Sequence, residues 1–157
     1  MAQAAPSRPA PPGQTILGFD FGEKRIGVAV GETGIGLAHP LITLQVATNA
    51  ERMAAVDALV AEWQPVQLVV GEPHYADERP HPIARLARKF GNRIKERFRL
   101  PVDYVNEFLS SSEAGAQLRE QGIRGRAQKP LLDAMAAQVI LQSWLDENQN
   151  EKARNAA

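Results

Sequence analysis

Thr15-Ile16-Leu17-Gly18-Phe19-Asp20-Phe21-Gly22-Glu23-Lys24-Arg25-Ile26-Gly27-Val28-Ala29-Val30-Gly31 is the stretch on which the fold turns. Residues 15–21 are β-branched and aromatic, so they read as a buried strand broken by Gly22. Residues 25–31 read as a second strand. The connection Gly22-Glu23-Lys24 is short and opens on glycine, which suits a hairpin. A carboxylate sits inside this apolar pair. Burying a lone Asp20 is costly unless it is paired or bound to a cation. The flanking glycines allow close approach by backbone or ligand. Asp20 is therefore either a cation ligand or a cap of the turn that follows it.

Outward from the hairpin, residues 37–46 supply a third strand, with Pro40 marking an edge or a bulge. The period then changes. Thr48-x-x-Glu51 is a capping box, and Met53, Val56, Val60 and Trp63 follow at helical spacing until Pro65. Residues 66–70 form a continuous apolar run, as expected of a buried strand in a parallel pair. Residues 83–99 carry Ile83, Leu86, Ala87, Phe90, Ile94 and Phe98 on one helical face. Residues 102–106 form a short strand. Ser110-x-x-Glu113 caps a helix to about Gln121, a basic loop covers 122–130, and a last helix covers 131–147. Three strands in succession suggest an antiparallel meander, and the later alternation suggests right-handed parallel crossovers. The expected fold class is α/β, a five-stranded mixed sheet flanked by helices on both faces. The domain spans residues 14–147, between a Pro- and Ala-rich disordered leader at 1–13 and a frayed polar tail at 148–157.

Composition narrows the class. A chain of 157 residues with 44% hydrophobic and 23% charged residues is an ordinary globular domain. The absence of cysteine excludes disulfides and thiolate chemistry. No run of about 18 apolar residues predicts a membrane span, and no signal peptide is apparent, so a cytoplasmic location is expected. Net charge is zero but unevenly spread. Residues 79–129 carry 12 Lys/Arg against 5 Asp/Glu, and residues 1–78 carry 4 against 9. The basic block is a candidate phosphate-binding face.

Other acids join Asp20. Asp133 lies near the start of the last helix. The helix dipole favours it there, but Asp133, Ala137, Ile140 and Trp144 share one line that faces the sheet. Glu107 ends the strand at 102–106 between polar and apolar neighbours, and reads as either a solvated loop residue or one facing a crevice. Glu72 ends the strand before it. Asp20, Glu72 and Glu107 all fall near carboxyl ends of strands, where α/β sheets open their crevices. Carboxylates from separate elements are what a hard divalent ion requires, and paired ions can clamp both oxygens of a phosphodiester in transfer. Lys24 and Arg25 either hold a phosphate beside such a site or form a solvated turn. Arg85, Arg88 and Lys89 on the amphipathic helix, and Arg124, Arg126 and Lys129 in the basic loop, are candidate phosphate contacts. His39, His74 and His81 lack metal-ligand spacing and read as structural or surface residues.

Gly18-Phe19-Asp20-Phe21-Gly22-Glu23-Lys24-Arg25-Ile26-Gly27-Val28-Ala29 resembles the opening motif of the YqgF family, also called RuvX. Val70-Gly71-Glu72-Pro73 is similar to that family's Gly-x-Pro strand end. Lys129-Pro130-Leu131-Leu132-Asp133-Ala134-Met135-Ala136-Ala137 resembles its Lys-x-x-x-Asp-x-x-Ala-Ala helix. The similarity covers about residues 15–146. It implies an RNase H-like fold and a Holliday-junction-resolvase-like nuclease that matures the 5′ end of 16S ribosomal RNA. It puts the three acidic positions on Asp20, Glu107 and Asp133, with Mg2+ or Mn2+ as the metal. One segment departs: the family's Asp-Glu-Arg is here Asn106-Glu107-Phe108. That removes one charge of each sign, and the phosphate contact of that Arg has no counterpart. Glu72, where the family carries an apolar residue, is a further candidate ligand.

These readings lead to a metal-dependent endonuclease acting on precursor ribosomal RNA. A branched-DNA resolvase and a non-catalytic RNA-binding assembly factor are the alternatives. A sugar-kinase or actin-like fold opens on a similar Asp-x-Gly motif but needs two such lobes, and this chain supplies one.

Overall fold

The computed structural model describes residues 14–74, 81–107 and 128–156. The leader at 1–13, the helix expected from Ser110 and the loop residues 122–127 lie outside the described residues. Five strands form one sheet: β1 (Thr15–Asp20), β2 (Arg25–Glu32), β3 (Leu37–Gln45), β4 (Gln67–Pro73) and β5 (Val102–Glu107). Their order is β3-β2-β1-β4-β5. β1 pairs antiparallel with β2, and β2 with β3, whereas β4 runs parallel to both β1 and β5. This is the mixed sheet expected from a meander followed by two crossovers. Pro40 sits on the edge strand β3, where the β2–β3 register shifts, as a residue without an N–H should.

Side chains alternate across the sheet and meet different helices. On one face Leu17, Phe19, Ile26, Val28, Leu68 and Val70 pack against α1 (Asn49–Trp63) and α2 (Ala84–Phe98) through Met53, Val56, Leu59, Ala87, Phe90 and Ile94. On the other face Ile16, Ala29 and Val69 pack against α3 (Gln128–Ala156) through Ala137, Ile140, Leu141 and Leu145. Each such Leu, Ile or Phe contributes roughly 1.5–3 kcal/mol when fully buried. The Thr48–Glu51 capping box forms as read. Gln64 ends α1 in the left-handed conformation, just before Pro65.

α3 reaches across the whole sheet by polar contacts as well as apolar ones. Gln142 accepts from the Ala38 N–H at 2.9 Å and donates to the Gly36 carbonyl at 2.8 Å, while Gln138 donates to the Ala38 carbonyl at 2.9 Å. These amides cover part of the β3 edge, which would otherwise template strand addition. At the opposite edge the Trp144 indole donates to Asp103 on β5 at 2.7 Å. α3 departs from expectation at both ends. It starts at Gln128, with Pro130 in its first turn, where a proline costs little. It also continues to Ala156, through the segment read as a frayed tail. Glu151, Lys152, Ala153 and Arg154 are strong helix formers, which local polarity alone did not reveal. No helix among the described residues is long and apolar enough to cross a membrane.

Candidate active site

Asp20 closes β1 between Phe19 and Phe21, whose rings both belong to the α1–α2 side. Alternation therefore turns Asp20 toward α3. Its register partner on β2 is Gly27. A Cβ on Gly27 would stand 1.9 Å from the Asp133 carbonyl oxygen. The bare glycine is what lets the first turns of α3 lie on the hairpin, and it brings Asp133 beside Asp20. Glu107 closes β5 in register with Pro73. β4 separates β5 from β1, but a Cβ on Gly71 of β4 would stand only 3.2 Å from Glu107 Oε2. Glu107 thus crosses β4 over a glycine and meets Asp20. Two glycines, one on each side, make room for the convergence. Gly27→Ala is expected to push α3 off the hairpin and cost about 2 kcal/mol or more. Thermal melting checks this; an unchanged melting temperature would show that α3 does not rest on Gly27.

The electrostatics follow from that crowding. Burial, first, pushes the Asp20 carboxyl well above the usual carboxylate range; its hydrogen bond to Glu107 and the charges of Glu107 and Asp133 push it further. Glu107 is also raised by burial, against the pull of its hydrogen bond from Asp20 and the charge of His81. Asp20 and Glu107 thus share a proton, with Asp20 as donor, because two bare carboxylates cannot stand so close in a dry site. Asp133 has a different counter-charge: Arg25 Nε donates to its Oδ2 at 2.7 Å. A cleft lined by Asp20, the Phe21–Arg25 turn and Asp133 opens beside the pair. His81, read from sequence as a surface residue, is close enough to favour the charged form of Glu107. No spacing signal announced it.

The remaining candidates separate. Glu72 is corrected. It shares the parity of Leu68 and Val70, so it faces α2 and not the Asp20 side. Arg88 grips it with Nε at 2.7 Å and Nη2 at 3.1 Å, which lowers its pKa, and His74 lies 3.4 Å away. Glu72→Gln is accordingly expected to leave Mg2+-dependent stabilisation unchanged and to cost less than about 1 kcal/mol. A lost Mg2+ response in a melting series would return Glu72 to the metal set. Arg88 is likewise engaged, by Glu72 and by the Tyr104 ring 4.0 Å from its guanidinium carbon. Arg25 is engaged by Asp133. Lys24 lines the cleft beside Asp20, and Arg85 and Lys89 are exposed on α2. Lys129 lies in the first turn of α3, not in a loop. Arg124 and Arg126 lie outside the described residues.

Among the described residues, no three Asp, Glu or His side chains stand close enough together to hold an ion as they are. The reason is visible in the pairings: Asp20 and Glu107 meet, while Asp133 is drawn to Arg25. The donor set nonetheless fits a hard divalent cation. It is all carboxylate oxygen, and a shared proton and a guanidinium already supply the positive charge that it demands.

The family model described as "RuvX: Holliday junction resolvase" matches residues 14–147. A protein of Dechloromonas aromatica named as a candidate pre-16S rRNA nuclease is 58% identical over 132 residues, covering 84% of this chain and 90% of that one. A Methylobacillus flagellatus protein of the same name is 54% identical over 131 residues, covering 83% and 90%. RuvC of T. thermophilus, solved in complex with a Holliday junction substrate, superposes with a TM-score of 0.52 at 17% identity, covering 87% of this chain and 96% of that chain. At that identity the likeness speaks for the RNase H-like fold alone. With a matched model spanning the whole sheet and its helices, and relatives more than half identical, the chain belongs to the RuvX family of nucleic-acid-cleaving hydrolases.

Proposed function

We propose that the chain is a divalent-metal-dependent endonuclease that processes the 5′ end of precursor 16S ribosomal RNA in the cytoplasm. The observation that carries this reading is the meeting of Asp20 and Glu107 over Gly71, with Asp133 close enough to act on Asp20. Asp20, Glu107 and Asp133 would hold Mg2+ or Mn2+, which when bound activates water and stabilises the charge on the leaving oxygen. The chain's own part is to bind and orient. Asp20 and Glu107 give up their shared proton as an ion binds. Arg25, once released from Asp133, is placed with Lys24 to hold a phosphate at the hairpin turn. The exposed cations Arg85 and Lys89, the helix-start Lys129, and Arg124 and Arg126 form the surrounding phosphate contacts. The names of the relatives favour ribosomal RNA. The description of the family favours a branched-DNA resolvase as the second reading.

Incubation with precursor 16S RNA and with a four-way DNA junction, with Mg2+, Mn2+ or chelator, tests it. The expected result is metal-dependent cleavage of the RNA. Cleavage of the junction alone would favour the resolvase, and RNA binding without cleavage would favour an assembly factor.

A further inference from the structure

A second basic cleft lies on the opposite face of the sheet from the Asp20–Glu107 pair. Between α1 and α2, Asn49, Arg52, Lys89 and Arg93 surround a floor of Phe21 and Phe90. The basic residues of α2 sort into two sets. Arg88 is tied to Glu72, and Arg97 to Asp57 on α1 at 2.6 Å. Lys89 and Arg93 have no hydrogen-bond or ion-pair partner among the described residues, and both point into solvent at the mouth of the cleft. Arg52 is held from below. Its guanidinium carbon stands 5.6 Å from the Phe21 ring centroid, and one Nη donates to the Glu23 carbonyl. Its Nε is buried with no acceptor among the described residues. Such a donor costs about 1–3 kcal/mol to leave unmade, which an anion oxygen would relieve. The floor is closed, because Phe21 and Phe90 pack on each other at 5.3 Å and are only 9% and 3% exposed. It therefore cannot stack a base, and the cleft suits a phosphate group.

The cleft adjoins the candidate active site. Phe21 follows Asp20 directly and lines both clefts. The Glu23 carbonyl that Arg52 grips belongs to the same turn as Lys24 and Arg25. Capped α1 starts at this sheet edge, where the Val46 N–H donates to the Lys24 carbonyl at 3.0 Å. We infer that the α1–α2 cleft binds a backbone phosphate of the substrate strand, away from the bond that is cut, so that the strand passes over the β1–β2 turn from one face of the sheet to the other. This rests on the nuclease reading for its ligand, and Arg52, Lys89 and Arg93 are the residues assigned.

The test is binding of single-stranded RNA by the full chain in chelator, across salt concentrations. Lys89→Ala with Arg93→Ala should lower the slope of log affinity against log salt by about 1.4, at about 0.7 per lost contact, and weaken binding about tenfold at low salt. Lys95→Ala with Arg99→Ala removes the same charge from the same helix outside the cleft, and should leave the slope as in wild type. Equal losses in both double variants would mean diffuse attraction and overturn the assignment, as would no loss in the first. Chelator keeps the carboxylates out of the measurement. Failure of the nuclease reading would show separately, as absent metal-dependent cleavage while the difference between the double variants persists.

Discussion

Asp20→Asn is expected to reduce metal-dependent cleavage at least about a thousandfold, equivalent to about 4 kcal/mol of transition-state stabilisation, while the protein stays folded. The substitution keeps the shape of the side chain and removes its charge. Its amide N–H can donate to Glu107, as the protonated Asp20 carboxyl does, so the packing between β1, β4 and α3 has no reason to fail. The same variant should melt higher than wild type in chelator near neutral pH, because it no longer pays to bury an ionisable group beside Glu107 and Asp133. If Asp20 were only a turn cap, removing its charge would lower the melting temperature instead. Turnover assays and melts of wild type and Asp20→Asn check both halves; wild-type turnover in the variant would end the catalytic assignment.

The second large effect is on the pH dependence of stability without metal. Burial and the neighbouring carboxylates raise Asp20 above its unfolded value of 3.8. A carboxyl whose folded pKa is raised adds stability that is fully present below the unfolded pKa and is lost as pH rises through the folded one. Glu107 is raised from 4.5 and acts in the same direction. In chelator, wild type should therefore lose stability relative to Asp20→Asn as pH rises from about 4, by up to about 1.4 kcal/mol per pH unit for one retained proton. Mg2+ should reverse the loss by about 2.7 kcal/mol at a hundredfold excess over Kd, and the variant should forgo most of that gain. Melts from acid to neutral pH check the sign. A wild-type curve that runs parallel to the variant throughout would mean that the two carboxyls are not in contact.

The sheet was legible because its local signals agree. The Gly22 break, the Thr48–Glu51 capping box, Pro65 and the period change after Gln45 each mark a boundary that the structure keeps. Asp20 was legible as an acid in an apolar strand, and Glu107 and Asp133 through their strand-end and helix-line positions. Glu72 shows where local reading fails. Leu68, Val69 and Val70 are all buried, so the apolar run hides which parity faces which helix layer. Counting from Leu68 and Val70 puts Glu72 beside Arg88, but only once α2 is known to cover that face. The pairing of Arg25 with Asp133, 108 positions apart, leaves no trace in spacing. The second basic cleft was hidden for a similar reason. Arg52 reads as a polar position on α1, and only the packing of α1 against α2 brings it to Lys89 and Arg93.

The central claim is that Asp20, Glu107 and Asp133 form one cation-binding set whose first two members share a proton in its absence. Calorimetric titration of wild type with Mn2+ near neutral pH, in buffers of different ionisation enthalpy, tests it most directly because it counts protons released as the ion binds. The account predicts saturable uptake with net proton release in wild type, and loss of both in Asp20→Asn. Uptake without proton release, or equal uptake by the variant, would contradict it.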